Sequence, residues 1–453
     1  MSVSTTISQL VEVLIAEPVN VSVSSLAQLA NGIQTDTRIL QPGEVFLALR
    51  GEKFDGHDFV PTAIAKGAIL AIVDYGYENQ NPGFPILRVK DTLKAYQQIA
   101  QWWRESFSIP VIGITGSVGK TTTKELISAV LATKGKVHKT YGNFNNEIGV
   151  PKTLLELTKE DDFAVIEMAM RGRGQIAELT EITKPTIGVI TNVGTAHIEL
   201  LGSEAAIAEA KCELLATMPD HSTAILNYDN PLLMEMAAKF WQGKVISYGF
   251  SGGDIQGKLI NNETVEVAGM GLPLPLPGRH NASNFLAALA VAQVLEIDWQ
   301  LLQSGIMVNM PTGRSQRFTL PHDIVILDET YNAAPEAMLA ALQLLADTPG
   351  KRKIAVLGAM KELGERSAEL HQKVGEMVKN LHLDGLLVLV DGQDAEIIAN
   401  SADNIFCECF STHADLVTRL KTFMQAGDRL LFKAAHSVGL DRVVNQLRAE
   451  FTN

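Results

Sequence analysis

Gly113-Ile114-Thr115-Gly116-Ser117-Val118-Gly119-Lys120-Thr121-Thr122-Thr123 is the stretch on which the fold turns. It follows the apolar run 109–114 and precedes a helical pattern over 124–134. Strand, glycine loop and helix in that order aim successive backbone N–H groups at one spot, at the positive end of a helix. Lys120 adds a point charge for phosphate, and Thr121 offers a hydroxyl to Mg²⁺. The pattern predicts a nucleoside triphosphate site, with Gly116, Ser117, Val118, Gly119, Lys120, Thr121 and Thr122 around the phosphates. The spacing departs from the usual P-loop, which has four residues between its glycines: Gly113 to Gly119 leaves five, and Gly116 to Gly119 leaves two. A glycine-rich turn without function is the competing reading, and the flanking elements with the closing Gly-Lys-Thr argue against it.

Working outward, the strand-like runs 163–167, 187–191, 224–227 and 245–247 alternate with helical patterns, which predicts a parallel sheet covered by helices. Residues 92–107 read as an aromatic helix ahead of it. Leu272-Pro273-Leu274-Pro275-Leu276-Pro277-Gly278 cannot be helix and reads as an extended connection into a helix over 282–295. Beyond residue 312 a second alternation follows, with strands at 324–328, 354–358, 386–390 and 429–433. Helical stretches there cover 334–346, 367–381, 413–425 and 440–450. This is a Rossmann-like α/β pattern without a Gly-x-Gly-x-x-Gly fingerprint, so no dinucleotide is indicated. The segment before residue 89 mixes short strands with turns. The expectation is an α/β protein of three domains: 1–88, a central P-loop-type parallel-sheet domain over 89–312, and a Rossmann-like domain over 313–453. A length of 453 residues suits roughly three domains.

The bulk properties narrow the function. A hydrophobic content of 46% excludes wholesale disorder, and a net charge of −13 argues against a general nucleic-acid binder. Cys212, Cys407 and Cys409 are too few for a disulfide framework and read as thiols in a reducing compartment; Cys407-Glu408-Cys409 lacks a second pair to complete a metal site. No apolar run reaches the ~18 residues needed to span a bilayer. The N-terminus lacks a basic segment, and Glu12 breaks its apolar stretch, so a signal peptide is not expected. A cytoplasmic protein is expected.

In open parallel sheets ligands bind beyond the carboxyl ends of the strands. Glu167 closes one strand, and Thr191, Asn192 and then His197 follow another. In the last segment Asp328 and Lys433 end two more. Glu167 suits Mg²⁺, which takes hard oxygen donors, and this reading is preferred to the competing one of a solvated strand-end carboxylate. On the residues alone, His197 is better read as a hydrogen-bonded loop histidine, and Lys211, on a helical stretch over 204–218, as a surface lysine. Arg171, Arg173, Arg314 and Arg317 fall in glycine- or serine-containing turns, where they suit phosphate or carboxylate.

ITGSVGKTTTK, YGNFNNEIGVPKTLL, EMAMRGRGQI, TNVGTAHIELLGS, LPGRHNASN, GRSQRF and DETYNAAP, taken together, resemble the ATP-dependent Mur ligases, and among them the members that add a dipeptide. The resemblance spans all three segments. The third-residue-adding members share Asp36-Thr37-Arg38 and Asp55-Gly56-His57-Asp58-Phe59. They usually carry Asp-Asn-Pro-Arg in the last domain, whereas here Asp229-Asn230-Pro231 is followed by Leu232 in the central segment. Folylpolyglutamate synthetase shares the central fold but lacks such an N-terminal domain.

The resemblance implies an ATP-dependent amide-forming ligase of peptidoglycan synthesis. It would join D-alanyl-D-alanine to UDP-N-acetylmuramoyl-tripeptide through an acyl phosphate, as a cytoplasmic monomer. It implies roles by position: Thr35, Asp36, Thr37 and Arg38 for the uridine diphosphate, and Thr121, Glu167 and His197 for Mg²⁺. Lys211 would be a carbamate in the metal region. Asn284 would contact adenine, and Arg314 and Asp328 the nucleotide's phosphate and ribose. Asn143, Asn145, Asn146, Tyr331 and Asn332 would lie near the reacting groups, with Lys120, Lys211, His197 and Asn145 catalytic. One segment departs: many dipeptide-adding members read Lys-Gly-Ser-Arg where this chain has Lys433-Ala434-Ala435-His436. A third-residue-adding ligase, or a P-loop ATPase that switches conformation, are the alternatives.

Overall fold

The computed structural model describes residues 3–452. Among the described residues the chain forms three larger sheets, of five, nine and six strands, and one two-stranded ribbon. The five-stranded sheet runs in the order Glu17–Val19, Ile86–Val89, Leu70–Asp74, Val45–Leu47, Ile33–Gln34, with only the first pair antiparallel.

The central sheet places Val111–Thr115 between Phe163–Glu167 and Ile187–Ile190, all parallel. The chain therefore leaves the P-loop strand toward one side of the sheet and later returns to its other side. Such a switch point opens a crevice at the strand ends. All five residues of Val111–Thr115 are buried, as expected of a strand covered on both faces. Alternate side chains divide between two cores. Ile112 and Ile114 pack with Leu126, Ile127, Phe285 and Leu289, beneath the helices Lys120–Leu131 and Arg279–Val294. Val111 joins the opposite core with Ile99, Leu179 and Leu214, from the helices Thr92–Glu105, Gln175–Thr183 and Glu204–Thr217. Trimming one of these buried leucines to alanine costs about 2–5 kcal/mol. The second core continues without a break into Leu47, Ile72 and Leu87 of the first sheet and Ile7 and Leu10 of the N-terminal helix, so the first and central sheets lean on shared apolar side chains.

The third sheet runs Gln316–Leu320, Ile324–Asp328, Asp428–Lys433, Arg352–Leu357, Gly385–Leu389, Cys407–Phe410, parallel after its first pair.

Four sequence expectations change. The helix after the glycine loop begins at Lys120, not 124, because left-handed Gly119 (φ 81°) starts it directly. The central sheet is not wholly parallel: Ile255–Asn261, Thr264–Val267 and Met270–Pro273 extend its edge as antiparallel strands. Pro273 ends that edge, where its missing N–H is harmless. Arg317 lies in the antiparallel edge strand Gln316–Leu320, not in a turn. Lys211 is buried at 1% exposure, not a surface lysine. No helix among the described residues is long and apolar enough to cross a membrane.

Candidate active site

The glycine loop opens into a cavity of about 760 Å³. One wall is Ser117 to Thr122 with Asn192, His197 and Asn284; the facing wall comes from the third sheet's unit, including Arg314, Glu329, Tyr331, Lys433 and His436. Glycine is required at two loop positions. A Cβ on Gly116 would stand 1.9 Å from Thr191 Oγ1, and one on left-handed Gly119 would stand 2.7 Å from Asn284 Oδ1. The N–H groups of Ser117 and Val118 are already bonded to Asn192, to its carbonyl at 3.1 Å and its Oδ1 at 3.0 Å. The donors left for an anion are therefore those opening the helix from Gly119 to Thr122, ahead of the first intrahelical bond from the Thr123 N–H to the Gly119 carbonyl. This is narrower than the loop-wide cradle expected from sequence.

Lys120 folds back so that its Nζ donates to the carbonyls of Gly116 (2.7 Å) and Ser117 (3.3 Å). Burial, with Arg314 nearby, pushes its ammonium down to about 8 against an opposing pull from Glu167. Below it, Glu167 is buried at 1%. Its Oε1 accepts from Thr121 Oγ1 at 3.2 Å and from Asn145 Nδ2 at 2.8 Å. Its Oε2 has no hydrogen-bond partner among the described residues, and Lys124 Nζ stands 3.8 Å away. The backbone N–H of Glu167 donates to Thr140 Oγ1 at 3.0 Å, and Lys124 Nζ donates to the Thr140 carbonyl at 2.8 Å, so the carboxylate is held from behind.

His197 takes a left-handed conformation (φ 66°) at the start of a short helix. Its Nδ1 lies 2.5 Å from Glu362 Oε2 of the third unit. A carboxylate only accepts, so Nδ1 carries the proton and Nε2 keeps a free lone pair. Burial lowers the His197 pKa, with Glu362 opposing and Lys120 and Lys211 adding to the shift. Lys211, on the helix Glu204–Thr217, has no hydrogen-bonding or ion-pair partner for its Nζ among the described residues. Its pKa falls well below the usual lysine value, chiefly through burial and secondly through Lys120.

On the facing wall, the Arg314 guanidinium lies 3.9 Å from the centre of the Tyr331 ring, and His436 stacks on the same ring at 5.6 Å. Lys433 Nζ donates to the carbonyl of Asn332 at 2.9 Å and that of Glu329 at 3.4 Å, pinning the loop that carries Tyr331. Burial lowers the Lys433 pKa and raises that of Asp328. Asp328 Oδ1 already accepts from the Thr330 hydroxyl and N–H, at 2.6 and 3.0 Å.

Not every expected residue reaches this cavity. Glu167, Lys211 and Asp328 do not line it, and Asn145 is bonded to Glu167; Asn143 and Asn146 are exposed on the loop beside Asn145, where Asn146 Oδ1 accepts from the Gly149 N–H at 2.9 Å. Thr35, Asp36, Thr37 and Arg38 lie apart on the first sheet's unit. There Arg38 clasps Asp36 through Nε at 2.9 Å and Nη2 at 2.6 Å. Of the turn arginines, Arg171 and Arg314 line the cavity, whereas Arg173 pairs with Glu209 on the surface. Sequence reasoning missed Glu336 and Glu362; nothing local distinguishes them from other surface carboxylates.

A glycine loop at the switch point of a parallel sheet, roofed by a second α/β unit, defines a P-loop nucleotide-binding protein with an interdomain cleft. Comparison with known proteins places it further. Family models match in chain order: the Mur ligase family catalytic domain over residues 30–104, the Mur ligase middle domain over 114–292, and the Mur ligase glutamate ligase domain over 313–436. UDP-N-acetylmuramoyl-tripeptide–D-alanyl-D-alanine ligase of Synechocystis is 60% identical over 93% of this chain and 92% of its own length. The Escherichia coli protein of the same name is 34% identical over 99% of this chain and its whole length (100%). Among solved structures, MurF of Acinetobacter baumannii superposes with a TM-score of 0.88 at 29% identity, covering 99% of both chains. MurF of Thermotoga maritima in complex with ADP superposes with a TM-score of 0.84 at 32% identity, covering 93% of this chain and 98% of that one. The chain belongs to the Mur ligase family.

Proposed function

We propose that this protein is the ATP-dependent ligase that joins D-alanyl-D-alanine to UDP-N-acetylmuramoyl-tripeptide, releasing ADP and phosphate. The observation that carries the reading is the single cavity in which the P-loop Lys120 faces Arg314, Lys433 and Tyr331 of the third unit. The names of its relatives supply the substrates.

In this reading the tripeptide carboxylate attacks the γ-phosphorus of ATP, the bond to the β–γ bridging oxygen breaks, and ADP leaves. The D-alanyl-D-alanine amine then attacks the acyl carbon of the acyl phosphate, losing a proton as phosphate departs and the amide forms. The protein's task is positioning and charge neutralisation. Lys120 swings from its own loop carbonyls to the transferring phosphoryl group. The helix N–H groups from Gly119 onward hold phosphate oxygens. Asn284 and Arg314 orient the nucleotide, with Asp328 toward the ribose through the oxygen not held by Thr330. Asn145 fixes Glu167, and Tyr331 and Asn332, with Asn143 and Asn146 across the cleft, flank the acceptor. Thr35, Asp36, Thr37 and Arg38 engage the uridine diphosphate from the first unit.

The residues present fit a divalent cation: Glu167 offers a buried oxygen without a partner beside the Thr121 hydroxyl, and His197 Nε2 is free. Thr121, Glu167, His197 and Lys211 would hold Mg²⁺, which would draw negative charge off the transferring phosphoryl oxygens. Lys211 fits a carbamate. A buried amine without a partner among the described residues, its pKa driven well below the usual lysine value by burial, can in its neutral form attack carbon dioxide and lose a proton, presenting hard oxygens in place of an ammonium. We place the enzyme in the cytoplasm as a monomer.

Phosphate release tests the reading. It should require ATP, the UDP-linked tripeptide and D-alanyl-D-alanine together. Hydrolysis of ATP with neither acceptor nor donor present, unchanged on adding them, would favour a P-loop switch instead. Turnover with a single diamino acid on a UDP-dipeptide would favour the third-residue-adding reaction.

A further inference from the structure

The third unit touches the P-loop's backing through one side chain that the reaction above does not use. Glu336 lies in the first turn of the helix Pro335–Asp347. Its Oε1 crosses the cleft and accepts from the Thr195 N–H at 2.7 Å and the Thr195 hydroxyl at 2.9 Å. Among the described residues Oε2 is buried without a hydrogen-bond partner, so the carboxylate's hydrogen-bond compensation there comes from its seat on Thr195. The approach is close: a Cβ on Gly194 would stand 2.6 Å from Glu336 Oε1, so a side chain there would have to move the carboxylate from its seat.

The loop that receives this carboxylate also backs the P-loop. The Gly194 N–H donates to Ser117 Oγ at 2.9 Å, and the Ser117 N–H donates to the Asn192 carbonyl at 3.1 Å. Residues 192–195 thus bond to the glycine loop on one side and to the third unit on the other. Charge-assisted bonds to two donors of one residue fix position as well as add energy.

We propose that Glu336 is a positioning residue. Docked on Thr195, it makes the placement of the third unit and the shape of the P-loop a single event, so that phosphate is gripped only when the facing wall is in place. This rests on the ligase reading for its kinetic consequence but not for its structural one.

The test uses the full-length protein with Glu336→Ala, Glu336→Gln, Thr195→Val and the alanine–valine double variant. Glu336→Ala should lower kcat about a hundredfold or more, the scale of two lost charge-assisted hydrogen bonds, with the KM for the UDP-linked tripeptide unchanged. Glu336→Gln, whose amide oxygen still accepts, should recover most of that loss. Thr195→Val should cost about tenfold in the wild type, the scale of one charge-assisted hydrogen bond, and nothing further in the Glu336→Ala background. Small-angle scattering supplies a reading free of turnover: with ATP bound, the wild type should be more compact than Glu336→Ala. Full kcat in Glu336→Ala, additive losses in the double variant, or equal compaction would overturn the proposal. Should Glu336→Ala fail to fold, Thr195→Val decides, because a normal kcat there refutes the latch. A failed ligase reading shows differently, as a wild type with no dipeptide-dependent turnover and an intact scattering difference.

Discussion

On the central wall of the cavity the phosphate-facing residues run consecutively from Ser117 to Thr122, whereas the facing wall gathers Arg314, Tyr331, Glu336, Glu362, Lys433 and His436 from separate turns of the third unit. The first wall is fixed by local geometry. A buried strand stops, two glycines take conformations closed to other residues, and a helix begins at once. The second wall exists only through packing: Lys433 ties down the Tyr331 loop from a neighbouring strand end, and Glu336 and Glu362 reach across to Thr195 and His197. A site half of each kind can bind nucleotide on a rigid element and still make the reaction depend on how a second unit sits.

Substitutions on the two walls should separate these roles. Lys120→Ala, on the rigid wall, should lower turnover by roughly a thousandfold or more, the scale of removing a group that meets developing charge, while far-ultraviolet circular dichroism stays that of the wild type. Near-normal turnover in the folded variant would break the P-loop assignment. Lys211→Ala should cost about a hundredfold, the usual weight of a residue supporting a metal site. Short carboxylic acids in solution should restore part of that loss by filling the vacated space. Full activity without any additive would remove the carbamate from the account.

Arg314→Ala, on the assembled wall, should raise the KM for ATP about tenfold through the loss of its charged contact, leaving the KM for D-alanyl-D-alanine little changed. Equal effects on both would show that this wall does not divide its work as described.

The rigid wall also has a pH signature. Only the Lys120 ammonium attracts phosphate, and its pKa in the folded protein is about 8. ATP affinity should therefore weaken as pH rises through 8, with proton uptake on binding, which calorimetry in buffers of different ionisation enthalpy measures. Stability moves the other way. The folded pKa lies below the usual lysine value of 10.5, so between these values the unfolded chain binds more protons and the penalty of burying Lys120 shrinks as pH rises.

The smallest effect is expected at His436→Arg, which restores the residue more usual in the dipeptide-adding members. An arginine can still lie on the Tyr331 ring, and turnover should stay within about threefold of the wild type, the worth of one aromatic contact. A hundredfold loss with normal melting would show that this wall requires the imidazole itself.

The same contrast explains what could be read from sequence. The glycine loop, the strand closed by Glu167 and the alternation of the third sheet are each written in consecutive residues, so spacing and hydrophobic pattern reveal them. Lys211 looked like a solvated lysine because its helix has little amphipathic pattern to mark the buried side; only the tertiary fold covers it. The pairs Thr195–Glu336 and His197–Glu362 join positions 141 and 165 apart in the chain, and no local signal links them. The antiparallel extension over 255–273 has no counterpart in the sequence reading, which takes only its last two residues, Leu272 and Pro273, into the proline-rich connection 272–278.

The account turns on phosphoryl transfer from ATP to a substrate carboxylate within this cavity. Supplying the UDP-linked tripeptide with a heavy oxygen isotope in its terminal carboxylate tests that step directly. Ligation through an acyl phosphate must carry one labelled oxygen per turnover into the released phosphate, which mass spectrometry detects. Unlabelled phosphate at full turnover would contradict the account.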